Sequence, residues 1–105
     1  MIKATFYEDG AGRVRRFRIL NHGEALVCAG VSALAITCVN FIQSRFKPEA
    51  RLKYEQEGGL IDFEPACGEN REIGLVIDLL AFGLEQIREV YPNQIEIIRK
   101  GDYYD

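Results

Sequence analysis

The sequence contains 20 consecutive residues without a charged side chain, from Ala25 to Ser44. A segment of this length can form either a membrane-spanning helix or the core helix of a globular domain. Polar residues recur within it, among them Ser32 and Asn40, and the sequence contains no second segment of this kind. We therefore predict a helix over about residues 24–46 that is buried on nearly all sides, and we expect no association with a membrane.

Five shorter segments alternate apolar and polar residues, which is the period of a half-buried strand. The pair Gly58-Gly59 predicts a tight turn between two of them. A second helical pattern runs over about residues 70–90 and carries an extra apolar stripe, formed by Leu75, Leu79 and Phe82. One sheet cannot cover both the main apolar face of this helix and the extra stripe. We therefore expect this helix to pack on the first helix or on a second subunit. The predicted strands span residues 2–7, 13–20, 51–56, 60–64 and 94–99.

These elements follow the order β-β-α-β-β-α-β, which predicts an α/β fold of the α+β type: a five-stranded mixed sheet packed with two helices. A chain of 105 residues with 48% hydrophobic residues fits a single domain, which we assign to residues 1–105. Strand alternation puts Val14 on the same face as Arg16, opposite Phe17. Residues 65–70 are predicted as a loop, and Gly101–Asp105 as a loose polar tail.

Cysteine usage and charge suggest the cellular setting. Three cysteines at irregular spacing disfavour a disulfide framework and favour a reducing compartment. The first 20 residues hold four arginines and lack the apolar stretch of a secretory signal, so we expect a cytoplasmic protein. The net charge of -3 lacks the basic excess that is common in general nucleic-acid binders.

The candidate site is formed by the only histidine and a nearby cysteine. His22 lies in the loop that enters the first helix, and Cys28 lies in the first turns of that helix. A helix N-terminus favours negative charge on sulfur, and an imidazole can accept the thiol proton, so the pair suits nucleophilic catalysis. Ser32 follows on the same helix face, and Glu24 is expected in the first turn. The alternative is a packed cysteine beside a solvated histidine.

The other reactive or basic residues have plainer interpretations. Cys38 points to a different helix face and is interpreted as core, and Cys67 as an incidental loop residue. The absence of a C-x-x-C pair disfavours zinc, so no metal or cofactor is predicted. A group of arginines on the second strand could contact phosphate, although solvated hairpin arginines are the plainer interpretation; these are Arg13, Arg15, Arg16 and Arg18.

The sequence resembles the ribosomal-processing cysteine protease family, Prp, over essentially its whole length. The resemblance rests on His22…Leu26-Val27-Cys28-Ala29-Gly30-Val31-Ser32-Ala33-Leu34, Val39-Asn40, Gly58-Gly59-Leu60 and Tyr91-Pro92. It implies a bacterial cytoplasmic homodimer that acts as a cysteine endopeptidase. The implied substrate is the N-terminal extension of a large-subunit ribosomal protein, cut after a motif that contains aromatic residues.

The same resemblance assigns the nucleophile to Cys28, proton transfer to His22 and the helix serine to Ser32. This chain departs from the family pattern in three places. Asn21-His22-Gly23 replaces Gly-His-Ala, only five residues separate His22 from Cys28, and Ala25 replaces an acidic residue, with Glu24 as the nearest carboxylate. The short loop and the arginines motivate an alternative function, a non-catalytic ribosome-associated module that binds ribosomal protein or ribosomal RNA.

Overall fold

The computed structural model describes residues 1–67 and 70–101. Its elements follow the predicted order, so the fold class is confirmed. Two residues of the predicted 65–70 loop, 68 and 69, and the tail residues 102–105 lie outside the described residues. The strands are β1 (Ile2–Glu8), β2 (Val14–Leu20), β3 (Ala50–Glu55), β4 (Leu60–Pro65) and β5 (Ile95–Lys100), and the helices are α1 (Ala25–Arg45) and α2 (Arg71–Val90).

The five strands form one mixed sheet in the order β3-β4-β2-β1-β5. β1 and β5 are parallel, and the other neighbouring strands are antiparallel. The turn between β1 and β2 is stabilised by Asp9, whose carboxylate accepts hydrogen bonds from the backbone N–H groups of Ala11 and Arg13. β3 is an edge strand, and all of its residues are exposed.

The core lies on one face of the sheet. Phe6, Phe17 and Phe63 are cross-strand neighbours with fully buried side chains, and their adjacent ring centroids are 6.2 and 5.9 Å apart. The buried residues of α1 and α2 belong to the same core. Both helices therefore cover this face, and the opposite face of the sheet carries charged residues such as Arg18 and Asp62.

The prediction that the first helix is buried on nearly all sides is wrong. Its buried residues form one stripe, and Leu26 is 71% exposed. Because the two helices form a single layer on the sheet, no described element covers their outer side. By length and composition α1 could cross a membrane, and a third of its most apolar stretch is buried within the chain. The buried residues are Val27, Val31, Ala35, Cys38, Val39 and Ile42.

The predicted face of Val14 is also wrong, because a β-bulge interrupts the alternation of β2. Tyr7 pairs with Arg16 and Glu8 pairs with Val14, which leaves Arg15 as the extra residue. An extra residue reverses the alternation beyond it. Val14 is therefore buried in the same core as Phe17, rather than lying beside Arg16 on the charged face.

The extra apolar stripe of α2 is not covered by the sheet, as predicted. Leu75, Leu79 and Phe82 are each more than half exposed. An apolar groove of about 680 Å³ runs between α1 and α2 and is lined by residues of this stripe and of α1, including Leu34 and Phe41.

Candidate active site

The loop between β2 and α1 is held by the turn between β3 and β4. The backbone N–H of Asn21 donates to the carbonyl of Gly58 at 3.1 Å. Asn21 itself has a φ of 73°, a left-handed conformation that asparagine tolerates better than most residues. Gly59 also has a positive φ, and a Cβ there would lie 2.5 Å from the Asn21 carbonyl oxygen. Gly59 therefore lets the turn pack directly against the loop that carries His22.

The same turn orients the His22 ring. His22 Nε2 lies 2.8 Å from the carbonyl oxygen of Glu57. A carbonyl can only accept a hydrogen bond, so Nε2 carries the proton and the neutral ring leaves Nδ1 unprotonated. Nδ1 lies 4.0 Å from the Sγ atom of Cys28. The structure thus places a proton acceptor beside the thiol.

Backbone groups of Gly23 complete the surroundings of the Cys28 sulfur. The Gly23 N–H donates to Sγ at 3.1 Å, and the thiol donates to the Gly23 carbonyl at 3.4 Å. The backbone N–H of Cys28 is already bonded within the helix, to the Glu24 carbonyl at 2.9 Å. The side chain of Cys28 is half-buried. The sulfur is therefore contacted by polar groups and remains accessible from the surface.

Glu24 and Ser32 occupy different positions around this centre. The prediction that Glu24 lies in the first turn of the helix is wrong. The helix begins at Ala25, and Glu24 is its N-cap. Its carboxylate makes no capping hydrogen bond. Ser32 is half-buried and lines the same cleft as Cys28. The structure therefore brings Ser32 to the cleft, whereas Glu24 is not among the residues that line it and is exposed to solvent.

The cleft has a volume of about 400 Å³ and lies between the start of α1 and the β3–β4 hairpin. Its walls are mainly apolar, with Tyr54 and Ile61 on the hairpin side facing Ala29 on the helix side. A smaller pocket of about 190 Å³ shares Tyr54 and Ile61 and extends toward Leu52 and Ile36. Both cavities are mainly apolar and are lined partly by residues of edge strand β3, and together they are called the apolar path beside β3.

The two remaining cysteines are buried. Cys38 lies in the core as predicted, and burial raises the pKa of its thiol to about 12. Cys67 is not incidental, because it is also part of the core and burial raises its pKa, although Arg15 opposes that shift. Within residues 1–67 and 70–101, no group of three His, Cys, Asp or Glu side chains is arranged to hold a metal ion.

Three of the four predicted strand-two arginines, Arg15, Arg16 and Arg18, have acidic partners within the chain. Arg16 makes two hydrogen bonds to Asp62, at 2.8 and 2.6 Å, and Arg18 lies 3.8 Å from the same carboxylate. Arg15 forms an ion pair with Asp9 at 2.6 Å. Phosphate binding by these guanidinium groups would have to compete with internal carboxylates, which weakens the case for an RNA-binding face.

Sequence reasoning missed supporting groups that contact the site but are distant from it in sequence. The carbonyl of Glu57 orients His22, and the side chain of Gln94 accepts a hydrogen bond from the Glu24 N–H at 2.9 Å. Gly58-Gly59 was recognisable as a turn, but its contact with Asn21 was not. Gln94 follows Cys28 by 66 residues, and no local pattern marks it.

Comparisons with known proteins identify the family and the fold of this chain. A family model described as cysteine protease Prp matches residues 1–96. The ribosomal processing cysteine protease Prp of Staphylococcus aureus is 28% identical over 76 residues, which is 72% of each chain. A crystal structure of the essential ribosomal processing protease Prp from S. aureus with a covalently linked product peptide has a TM-score of 0.88 and 26% identity, and the match covers 95% of this chain and 100% of that chain. The corresponding complex with a substrate peptide gives a TM-score of 0.86 and 25% identity, with the same coverage.

Proposed function

This chain belongs to the Prp family of cysteine proteases, and we propose that it is an endopeptidase that removes the N-terminal extension of a large-subunit ribosomal protein. The observation that carries the proposal is the 4.0 Å separation of Cys28 Sγ and His22 Nδ1 at the wall of an apolar cleft. The relatives described above are a ribosomal processing protease and its complexes with substrate and product peptides. A ribosomal-protein substrate would place this enzyme in the cytoplasm.

In this proposal Cys28 is the nucleophile and His22 is the general acid and base. The thiol proton moves to His22 Nδ1, while Nε2–H stays bonded to the Glu57 carbonyl. The thiolate attacks the peptide carbonyl carbon and forms a C–S bond, and the carbonyl oxygen becomes an oxyanion. Collapse of this intermediate breaks the C–N bond, and the leaving amine takes the proton from Nδ1. Water then hydrolyses the thioester with His22 as base, which releases the acid product and restores the thiol.

Backbone N–H groups at the entrance to α1 would stabilise the oxyanion. The amide of Cys28 is not among them, since it donates to the Glu24 carbonyl. The N–H of Gly23 already lies 3.1 Å from Sγ and is therefore close to any carbon bonded to that sulfur. The amides of Ala25 and Leu26 in the first turn have no acceptor within the helix and can also donate.

The substrate would bind as an extended peptide along the apolar path beside β3. Among the described strands β3 pairs only with β4, so its other edge can hydrogen-bond to a peptide strand. Tyr54 and Ile61 are shared by both cavities and can contact aromatic side chains of the peptide. Ser32 can donate a hydrogen bond into the cleft, and Glu24 would affect the site only through its charge.

We also propose that the chain folds as a single domain and forms a homodimer through the outer surfaces of α1 and α2. The exposed stripe of Leu75, Leu79 and Phe82 and the 680 Å³ groove beside it form an apolar surface on one side of the molecule. Leu79→Glu is expected to convert a dimer into a monomer in sedimentation velocity. Lys3→Glu, an exposed strand residue away from the helices, is the matched control and is expected to leave the dimer intact.

The test of the activity is incubation with a synthetic peptide that contains the N-terminal extension of the ribosomal protein, followed by mass spectrometry. We expect one cleavage near the aromatic residues and a thioester adduct on Cys28. Undiminished cleavage by Cys28→Ala would contradict the mechanism. An intact peptide after prolonged incubation with the unmodified protein would instead favour the non-catalytic binding module, which a binding assay with ribosomal components would then examine.

A further inference from the structure

We propose that Gln94 is a positioning residue that orients the Gly23–Glu24 peptide unit against the Cys28 sulfur, an inference that rests on the proposed function of this site. Gln94 lies in the turn between α2 and β5, far from the cysteine in sequence. Its side-chain oxygen accepts a hydrogen bond from the Glu24 N–H at 2.9 Å. This bond connects the C-terminal part of the fold to the loop that precedes α1.

The bond determines which way one peptide plane faces. The Gly23 carbonyl and the Glu24 N–H belong to the same trans peptide unit and point in opposite directions. Because Gln94 holds the N–H, the carbonyl faces the sulfur, to which it lies within 3.4 Å. The Gly23 N–H, which belongs to the preceding peptide unit, also donates to Sγ at 3.1 Å, so both bonds to the sulfur depend on the position of Gly23. Gln94 therefore acts on the reacting atom through Gly23 and does not itself touch the substrate.

Gln94 is itself held firmly. Its backbone N–H donates to the Tyr91 carbonyl at 3.0 Å, and its carbonyl accepts from the Ile2 N–H at 2.9 Å. Gly23 packs against it so closely that a Cβ at position 23 would lie 2.8 Å from the Gln94 side-chain oxygen and 3.3 Å from Ile2. Glycine allows this close approach, and the hydrogen bond to Gln94 then holds the peptide plane in one orientation.

The test compares two variants of similar size. Gln94→Met removes the acceptor and keeps the bulk, whereas Gln94→Glu keeps an acceptor oxygen. Without the Gln94 acceptor the Gly23–Glu24 peptide unit loses its fixed orientation, which weakens the hydrogen bond from the Gly23 N–H to the thiolate. This hydrogen bond is charge-assisted and is therefore the stronger of the two contacts that Gly23 makes with the sulfur. For Gln94→Met we expect iodoacetamide to modify Cys28 about 3- to 10-fold more slowly at neutral pH, and the pH of half-maximal reactivity to rise by about half to one unit.

Peptide cleavage by Gln94→Met is expected to lose about 10-fold in kcat with KM within about twofold of the unmodified protein. Gln94→Glu is expected to stay within about threefold in kcat. Asn93→Ala, an exposed neighbour in the same turn, is the control for unspecific effects and is expected to match the unmodified protein. The Glu24 N–H is at the surface and can bond to water, so Tm is expected to change by no more than about 5 °C.

Unchanged alkylation and unchanged turnover in Gln94→Met would overturn the proposal. An equal loss of turnover and of Tm in both variants would also overturn it, because Gln94 would then act through folding stability. If the unmodified protein cleaves no peptide, the proposed function fails, but the alkylation profiles of the two variants still decide whether Gln94 orients the loop.

Discussion

Helix α1 carries two cysteines ten residues apart, and the fold gives their thiols opposite surroundings. Cys28 receives an N–H hydrogen bond at 3.1 Å and lies 4.0 Å from the His22 ring. Cys38 is buried, its thiol donates to the Val76 carbonyl at 3.9 Å, and desolvation raises the pKa of this thiol to about 12. Both cysteines have apolar or uncharged neighbours in sequence. The difference therefore comes from what packs opposite each sulfur: a polar loop and turn at one end, and the second helix at the other.

Replacing each cysteine by alanine is the most direct test of the difference between the two thiols. Cys28→Ala removes the nucleophile and is expected to lower the rate of peptide cleavage by about 10³-fold or more. Cys38→Ala removes a buried sulfur that the mechanism does not use, so cleavage is expected to stay within about threefold. The measurement is kcat/KM on the N-terminal extension peptide. Equal losses in the two variants, with both proteins folded by circular dichroism, would remove the distinction.

The next largest effect is expected for the residue that distinguishes the two sulfurs, His22. His22→Gln removes the proton acceptor and leaves an amide that can still donate to the Glu57 carbonyl. Loss of general acid–base catalysis is expected to reduce kcat by about 10²- to 10³-fold. The pH profile of Cys28 alkylation is expected to change as well, since the neighbouring base is gone. Turnover and alkylation like those of the unmodified protein would show that Cys28 works without this ring.

The element order and the two positions of the candidate site could be predicted from local patterns. Alternation and helical periodicity depend only on neighbouring residues, and the hairpin turns are marked by glycines. Local patterns cannot show an extra residue in a strand, so the bulge at Arg15 and the burial of Val14 were missed. They also could not show that one layer of helices leaves Leu26 and Phe41 exposed, because that depends on how many elements share the sheet.

The supporting contacts of the site could not be predicted for a related reason. His22 is oriented by a carbonyl oxygen at Glu57, and a backbone carbonyl leaves no signature in the side-chain sequence. The Gly23 loop is bonded to Gln94, a residue from the other end of the chain. Such contacts between distant residues depend on the tertiary arrangement of β1, β4 and β5 around the start of α1.

The two glycines of the β3–β4 turn allow a second test, at the end of α1 that carries Cys28. Gly59→Ala places a Cβ 2.5 Å from the Asn21 carbonyl in a left-handed conformation, so the turn must move away from the His22 loop. We expect a loss of about 1–3 kcal/mol in the free energy of unfolding and about a 10-fold lower kcat/KM. Urea unfolding and peptide cleavage measure the two effects.

Gly58→Ala is the matched control for this variant. A Cβ at position 58 would meet only the Glu55 carboxylate, at 3.9 Å, and the carbonyl that binds Asn21 is kept. Stability and turnover are therefore expected to stay close to those of the unmodified protein. If Gly59→Ala behaves like Gly58→Ala in both measurements, the turn does not hold the His22 loop in the way described.

The smallest expected effect concerns the core end of α1 at alkaline pH. The pKa of the Cys38 thiol is raised from 9.0 to about 12 in the folded protein, so above pH 9 the unfolded chain releases a proton that the folded chain retains. The stability that this thiol contributes is fully present below pH 9 and is lost as pH rises toward 12, by up to about 1.4 kcal/mol per pH unit.

Cys38→Ala lacks this titration, whereas Cys67 titrates in both proteins and its effect cancels in the comparison. Urea unfolding under reducing conditions is expected to show the difference in stability between the two proteins shrinking by about 1 kcal/mol from pH 8 to pH 10. A difference in stability that stays constant over this range would mean that Cys38 ionises as readily in the folded chain as in the unfolded one. Burial at this end of α1 would then not disfavour the thiolate relative to water.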